Sequence, residues 1–273
     1  MKRSVVLMIV FFTVMITGCG KDVGAKSTNS SAVPLKTGKA AAIDFKTLYV
    51  YAKSGLNIRK TPSLTAETVT KVPFGSKLEL LDDNKTPVQL TYEGLMGVWK
   101  PVKYGTDHGY AFEGFFGVFP VPQYGISVKE YFTKNYGPFE KVVTNKYNVS
   151  KSEDYGWDIE CYFKCGVKMR LTADGFGTED TITLPGMTIQ QAFVFLKLFD
   201  LPLLKELTFP QKNGVKTIPS GDELTITVVT GADGIESLLF KVQKSVSSEM
   251  SLSWIKLGKT DDGTVSVSFG NGV

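Results

Sequence analysis

From Trp157 to Leu171 every odd position is apolar: Trp157, Ile159, Cys161, Phe163, Cys165, Val167, Met169 and Leu171. Even positions carry Asp158, Glu160, Lys164, Lys168 and Arg170. Side chains alternate across a strand with a period of two, so this stretch has one face for a core and one for water. A single strand spanning 157–171 would exceed the usual length of about three to ten residues. A hairpin with a three-residue loop at Tyr162-Phe163-Lys164 keeps the parity and sets Cys161 opposite Cys165.

That geometry bears on the cysteines. On one straight strand the Cα atoms of Cys161 and Cys165 would stand about 13 Å apart, beyond the roughly 7 Å that a disulfide tolerates. Across a hairpin they would be about 5 Å apart. The expectation is a Cys161–Cys165 disulfide contributing about 2 kcal/mol, because the closed loop is short. Two buried free thiols, or a redox or metal pair, are the alternatives.

Residues 123–273 carry two helix starts. Gly125-Ile126-Ser127-Val128-Lys129-Glu130-Tyr131-Phe132 aligns with Gly186-Met187-Thr188-Ile189-Gln190-Gln191-Ala192-Phe193, sixty-one residues later. Each has Ser or Thr followed three residues on by Glu or Gln, the box in which two side chains satisfy two orphan N–H groups. The second helix, about 189–200, is apolar nearly all round and is expected to be buried against a sheet. Strands are expected at Leu224–Val229, Ile235–Val242, Ser251–Leu257 and Thr264–Phe269. The fold class is therefore mainly β with α+β: an antiparallel α+β domain over 123–273, with an internal duplication of a helix-plus-strands unit as one reading of the echo.

Residues 45–122 read as short strands between turns. Leu48-Tyr49-Val50-Tyr51-Ala52 opens, and Leu56 and Ile58 alternate with Asn57 and Arg59 before Pro62 closes the strand. Gly75 can take positive φ ahead of Lys77–Leu81. A strand from Gly97 to Tyr104 and the segment Gly109-Tyr110-Ala111-Phe112 complete a small barrel or sandwich. Taken in order, Ala52-x-x-Gly55-Leu56-Asn57-Ile58-Arg59 with Pro62-Ser63, then Pro73-Phe74-Gly75, Trp99-x-x-Val102 and Gly109-Tyr110-Ala111 resemble the bacterial SH3 domain over nearly all of 45–122. The resemblance implies an SH3-like small β-barrel that binds peptide or peptidoglycan in the cell envelope and does not itself catalyse. Gly109-Tyr110 stands where the family has Gly-Trp, and the stretch between Leu81 and Trp99 is long, so an extra loop or hairpin around Asp82–Leu95 is expected to reshape the groove.

Parity locates that groove. Trp99 and Val102 are three apart on one strand and face opposite ways, so Trp99 is outward if Val102 is core. With Tyr49, Tyr51, Tyr104, Tyr110 and Phe112 it would form an aromatic ligand-binding groove for an extended peptide. The alternative is that the second domain covers these aromatics.

The N-terminus sets the compartment. Lys2 and Arg3 precede an apolar run from Val5 to Ile16, and small residues lead to Cys19. A charged start, a short apolar run and small residues before a cut are the parts of a secretion signal. The run is too short for a membrane-crossing helix, which needs about twenty residues. Ile16-Thr17-Gly18-Cys19 resembles the lipobox of bacterial lipoproteins, which implies cleavage after residue 18 and lipidation (diacylglycerol, then palmitate) of Cys19. Gly20, rather than Asp, after the lipidated residue favours the outer membrane where a cell has two. Residues 19–44 lack periodicity and read as a tether, spanning on average roughly 27 Å and at most about 85 Å.

Composition excludes several chemistries. With two of 31 basic residues in the signal and 27 acidic residues in the chain, the mature part is close to neutral and has no Lys/Arg block for nucleic acid. There is one histidine, His108, in a glycine-flanked turn, whereas zinc hydrolases and Ser–His or Cys–His nucleophiles need His ligands or a base in place. Ser253-Trp254-Ile255-Lys256 matches the Ser-x-x-Lys of penicillin-binding enzymes, but the companion Lys36-Thr37-Gly38 lies in the tether and Ser253 reads as strand. Asp174, Glu179 and Asp180 around Gly175 and Gly177 read as a solvated hairpin turn and lack the Asp-x-Asp-x-Asp-Gly pattern of a calcium loop. No metal or cofactor is expected. The reading is a non-enzymatic lipoprotein of the cell membrane or outer membrane whose partners are the bilayer and a peptide, peptidoglycan or envelope protein. A cell-wall enzyme targeted by its barrel, and a structural or inhibitory surface lipoprotein, are the alternatives.

Overall fold

The computed structural model describes residues 42–82, 86–148, 155–174, 177–199, 201, 203–232, 234–246 and 249–272. Cys19, the signal reading over 1–18 and nearly all of the tether reading over 19–44 lie outside the described residues. The first strands are β1 (Thr47–Val50), β2 (Leu56–Arg59), β3 (Thr68–Val72), β4 (Lys77–Leu80), β5 (Gln89–Tyr92), β6 (Leu95–Tyr104), β7 (Asp107–Phe112) and β8 (Phe116–Gly117), with a 3-10 turn at Glu113–Phe115. They form one antiparallel sheet in the order β3-β2-β7-β6-β4-β1-β8, with β5 beside β6. Leu56 and Ile58 of β2 are buried while Asn57 and Arg59 are partly exposed, as their alternation requires. The long stretch after Leu81 supplies the hairpin β5–β6.

Helix α1 (Val128–Tyr136) leads into β9 (Lys141–Asn148), β10 (Tyr155–Tyr162), β11 (Lys168–Asp174) and β12 (Gly177–Leu184). Helix α2 (Ile189–Leu196) and a 3-10 turn at Lys197–Phe199 lead into β13 (Gly214–Thr217), β14 (Glu223–Gly231), β15 (Gly234–Val246), β16 (Glu249–Lys259) and β17 (Val265–Gly272). These nine strands form a second antiparallel sheet in the order β13-β14-β15-β16-β17-β12-β11-β10-β9. A buried row crosses it by direct register: Cys161 opposite Met169, Met169 opposite Ile182, Ile182 opposite Val267, Val267 opposite Leu257, and Leu257 opposite Leu238. The chain is thus a β-rich α+β protein with two antiparallel sheets and two helices among the described residues.

The capping boxes form as their sequences require. The Glu130 amide donates to Ser127 Oγ at 3.2 Å and the Ser127 amide to Glu130 Oε2 at 3.0 Å. The Gln191 amide donates to Thr188 Oγ1 at 3.2 Å and the Thr188 amide to Gln191 Oε1 at 2.9 Å. Helix α2 touches β15, β16 and β17 on one side and β8 and the Glu113–Phe115 turn on the other, which explains why it is apolar nearly all round. Its Phe195 ring lies 5.5 Å from Tyr51, 5.5 Å from Phe119, 5.6 Å from Tyr131 and 5.1 Å from Phe199. Full burial of such a ring stabilises the fold by about 2–3 kcal/mol. Apolar residues buried in both sheets and both helices, Trp99 and Leu171 apart, belong to one contiguous cluster.

The cysteine hairpin needs a correction. Parity holds, since Cys161, Phe163, Cys165, Val167, Met169 and Leu171 are all buried, but the reversal comes later than expected. Tyr162 pairs with Lys168, the Phe163 amide donates to the Val167 carbonyl at 2.9 Å, and Gly166 takes φ +86°. Glycine adopts that left-handed backbone without a Cβ penalty, so the turn settles around it. Cys161 consequently faces Met169, Cys165 sits in the turn, and both are free, buried thiols rather than a disulfide.

Candidate functional site

A cleft of about 1050 Å³ lies among the turn before β2, the tip of the β5–β6 hairpin, the Glu113–Phe115 turn, α2 and the segment 205–211. Two glycines make this shape. Gly55 sits at φ +84°, and a Cβ there would stand 2.9 Å from the Val72 carbonyl oxygen. Gly94 sits at φ +78°, where a Cβ would stand 3.3 Å from the Phe209 carbonyl oxygen, and the Gly94 carbonyl accepts from the Gln211 side-chain amide. The hairpin tip is thereby tied to the segment after α2.

Aromatic rings line the floor and wall. Phe115 meets Tyr92 edge-on at 6.0 Å and Phe112 edge-on at 5.7 Å, and Trp99 lies beside Phe112 in register. Across the cleft Phe193 meets Phe209 edge-on at 5.3 Å. Five basic side chains (Lys53, Arg59, Lys71, Lys197 and Lys205) line it against the single acid Glu93. That local excess equals the +4 formal charge of the whole chain, so positive charge is concentrated here. Arg59 is braced by donating to the Ala66 carbonyl at 2.6 Å. Lys197 donates to the Leu207 carbonyl and lies 5.8 Å above the Phe193 ring. Burial pulls its ammonium below the ordinary lysine range, with Glu206 opposing and Lys53 adding to the shift.

The aromatics singled out by sequence do not form one groove. Trp99 lies opposite Val102 by parity, yet it is only 6% exposed, and it lines both this cleft and a neighbouring one of about 540 Å³. Phe112 and Tyr51 reach the first cleft as buried residues, and Tyr110 lines the second. Tyr49 lines neither; Lys77 Nζ lies 5.9 Å from its ring, and burial raises its hydroxyl pKa. Tyr104, at the end of β6, lines neither as well. Sequence reasoning missed Tyr92 and all five cations. Lys197 was the visible signal, as the only charge in the otherwise apolar or neutral run 189–199.

The remaining candidates do not converge on a second site. His108 is exposed on β7. Ser253 and Lys256 lie three apart on β16 and point to opposite faces, as do the adjacent Glu179 and Asp180 on β12. Among the described residues no three His, Cys, Asp or Glu side chains gather as metal ligands. Comparison with protein-family models, with curated proteins and with solved structures finds no match to this chain.

Proposed function

We propose that this chain is a lipid-anchored envelope protein that holds a peptide or a cell-wall component and does no chemistry on it. In this reading Cys19 carries the lipid, 19–44 is the tether, and the first sheet is an SH3-like barrel whose β5–β6 hairpin is the departure noted in sequence. The two capping boxes, each followed by a run of antiparallel strands, support a duplicated helix-plus-strands unit in 123–273. The observation that carries the binding reading is the cleft itself, because aromatic rings (Trp99, Phe112, Phe115, Tyr92) meet fixed cations at one concave surface. Such a surface offers stacking and charge without any arrangement of acid, base and nucleophile.

The burial of Tyr51, Trp99 and Phe112 favours a second reading for those residues, in which they are structural core and the protein is a structural or inhibitory surface lipoprotein. The two are separated by retention of the detergent-solubilised full chain on purified peptidoglycan sacculi, with Tyr92→Ala alongside. Tyr92 is 39% exposed, so its ring can be removed without opening the core. Retention that drops at least several-fold in the variant, at unchanged melting temperature, supports cleft binding; equal retention of both forms removes it. Detergent phase partition of the full chain and of Cys19→Ala tests the anchor, which requires the variant alone to move to the aqueous phase.

A further inference from the structure

We infer that the cleft selects an extended acidic peptide, with Lys53 and Lys71 as its outer charge readers and Lys197 and Arg59 as braced inner ones; this rests on the binding reading above. Three observations lead there. The first is charge complementarity. The cleft gathers five cations and one carboxylate, a local excess as large as the +4 of the whole chain, so an occupant with several carboxylates is attracted and a basic one is repelled. Lys53 and Lys71 are exposed and make no ion pair among the described residues, which leaves them available to an incoming anion.

The second observation is the edge of β2. Its strand pairs with β3 from Leu56 to Arg59, but on the other side it meets β7 at Arg59–Tyr110 alone. At Leu56 and Asn57 the sheet therefore opens, and these two residues line the cleft there together with Phe112. A peptide running as a strand beside an unpartnered edge gains main-chain hydrogen bonds that a glycan or a phosphate polymer cannot supply.

The third is that the lining is of two kinds. The rings of Tyr92, Phe115 and Phe193 supply apolar surface, and the five cations line the same cleft, with Lys197 Nζ 5.8 Å above the Phe193 ring. An extended peptide presents alternate side chains to opposite sides. One alternating apolar residues with Glu or Asp therefore meets both kinds of surface at once, whereas a polyphosphate has nothing apolar to offer the rings.

The test is binding of the detergent-solubilised full chain to three nine-residue peptides of identical apolar positions, whose intervening residues are Glu, Gln or Lys, followed by titration calorimetry and competition with polyphosphate. The Glu peptide is expected to bind at least tenfold tighter than the Gln peptide, to weaken as salt rises, and to lose that advantage in Lys53→Glu/Lys71→Glu, two exposed positions whose exchange leaves the melting temperature unchanged. The Lys peptide is expected not to bind. Equal affinity for the Glu and Gln peptides would leave the cleft as a binding site but overturn its selection for acid. Polyphosphate displacing the Glu peptide at lower charge concentration would overturn the peptide in favour of a general anion site. Failure of all three peptides, with sacculus retention insensitive to Tyr92→Ala, would remove both the selection and the binding reading.

Discussion

The Tyr51 hydroxyl donates to the Phe119 carbonyl at 2.8 Å and accepts from the Phe119 amide at 3.2 Å, so one side chain satisfies both backbone groups of a fully buried residue. Phe119 follows β8 and leads out of the first sheet, and its ring packs on Phe132, Tyr136 and Phe195. Tyr51 is therefore a bolt between the first strands and the helices. Burial raises its pKa well above the ordinary tyrosine value, which keeps the donor proton in place.

Tyr51→Phe leaves the ring packing intact and strands a buried amide and a buried carbonyl. The expected loss is about 2 kcal/mol, read as a lower denaturation midpoint with an unchanged denaturant slope. A midpoint equal to that of the parent chain would show that water replaces the hydroxyl and that the bolt carries no weight. Gly117→Ala is a second probe of the same contact, because a Cβ there would lie 2.7 Å from the Tyr51 hydroxyl.

The chain showed its local chemistry openly and its long-range geometry poorly. Both capping boxes and the alternation through 157–171 follow from near neighbours, and they formed as read. The hairpin reversal hinges on Gly166, whose positive φ sets the turn later than the loop at 162–164 that strand length and parity equally allow. Strand parity tells which face Tyr51 and Phe112 take but not what covers that face, so their burial is not legible in sequence. The cations of the cleft come from segments as far apart as 53 and 205, and no local pattern joins them.

The thiols of Cys161 and Cys165 should be chemically quiet in the folded chain. Burial raises the pKa of Cys161, against a small opposing pull from Lys129, and burial likewise raises that of Cys165. The thiolate is the reactive form, so alkylation of either residue at neutral pH is expected to be at least tenfold slower than in denaturant. Peptide mass spectrometry after labelling assigns each site. A linked peptide joining Cys161 to Cys165, two hydrogens lighter than the pair of thiols, would contradict the free state.

Asp180 lies on the helix-facing side of β12, opposite Leu171 on β11 and Phe269 on β17. Burial raises its pKa, and Lys129 only partly offsets this. A carboxyl with a raised folded-state pKa contributes stability that is present below its unfolded value and is lost as pH rises through the folded one. Asp180→Asn has no such loss, so at neutral pH it should be more stable than the parent by on the order of 1 kcal/mol, and the gap should close below the ordinary Asp range. A constant gap across the acidic limb would mean that Asp180 keeps its usual pKa.

Trp254 crosses from β16 to lie over Gly270 of β17, on the face of the sheet away from the helices. A Cβ at position 270 would stand 1.8 Å from the indole Cζ2, closer than any real contact, so glycine there serves the tryptophan rather than the backbone. Gly270→Ala must lift the ring off the strand, at a cost of about 1–3 kcal/mol. The displaced indole gains water, which predicts a red shift of tryptophan emission and stronger quenching by acrylamide. Trp254→Ala combined with Gly270→Ala separates the two causes, because the three atoms nearest the added methyl all belong to the indole, and with the ring gone the second substitution should cost almost nothing. If Gly270→Ala remains as costly without the ring as with it, the strain lies in the strand pairing of β16 with β17 and not in the stacked indole.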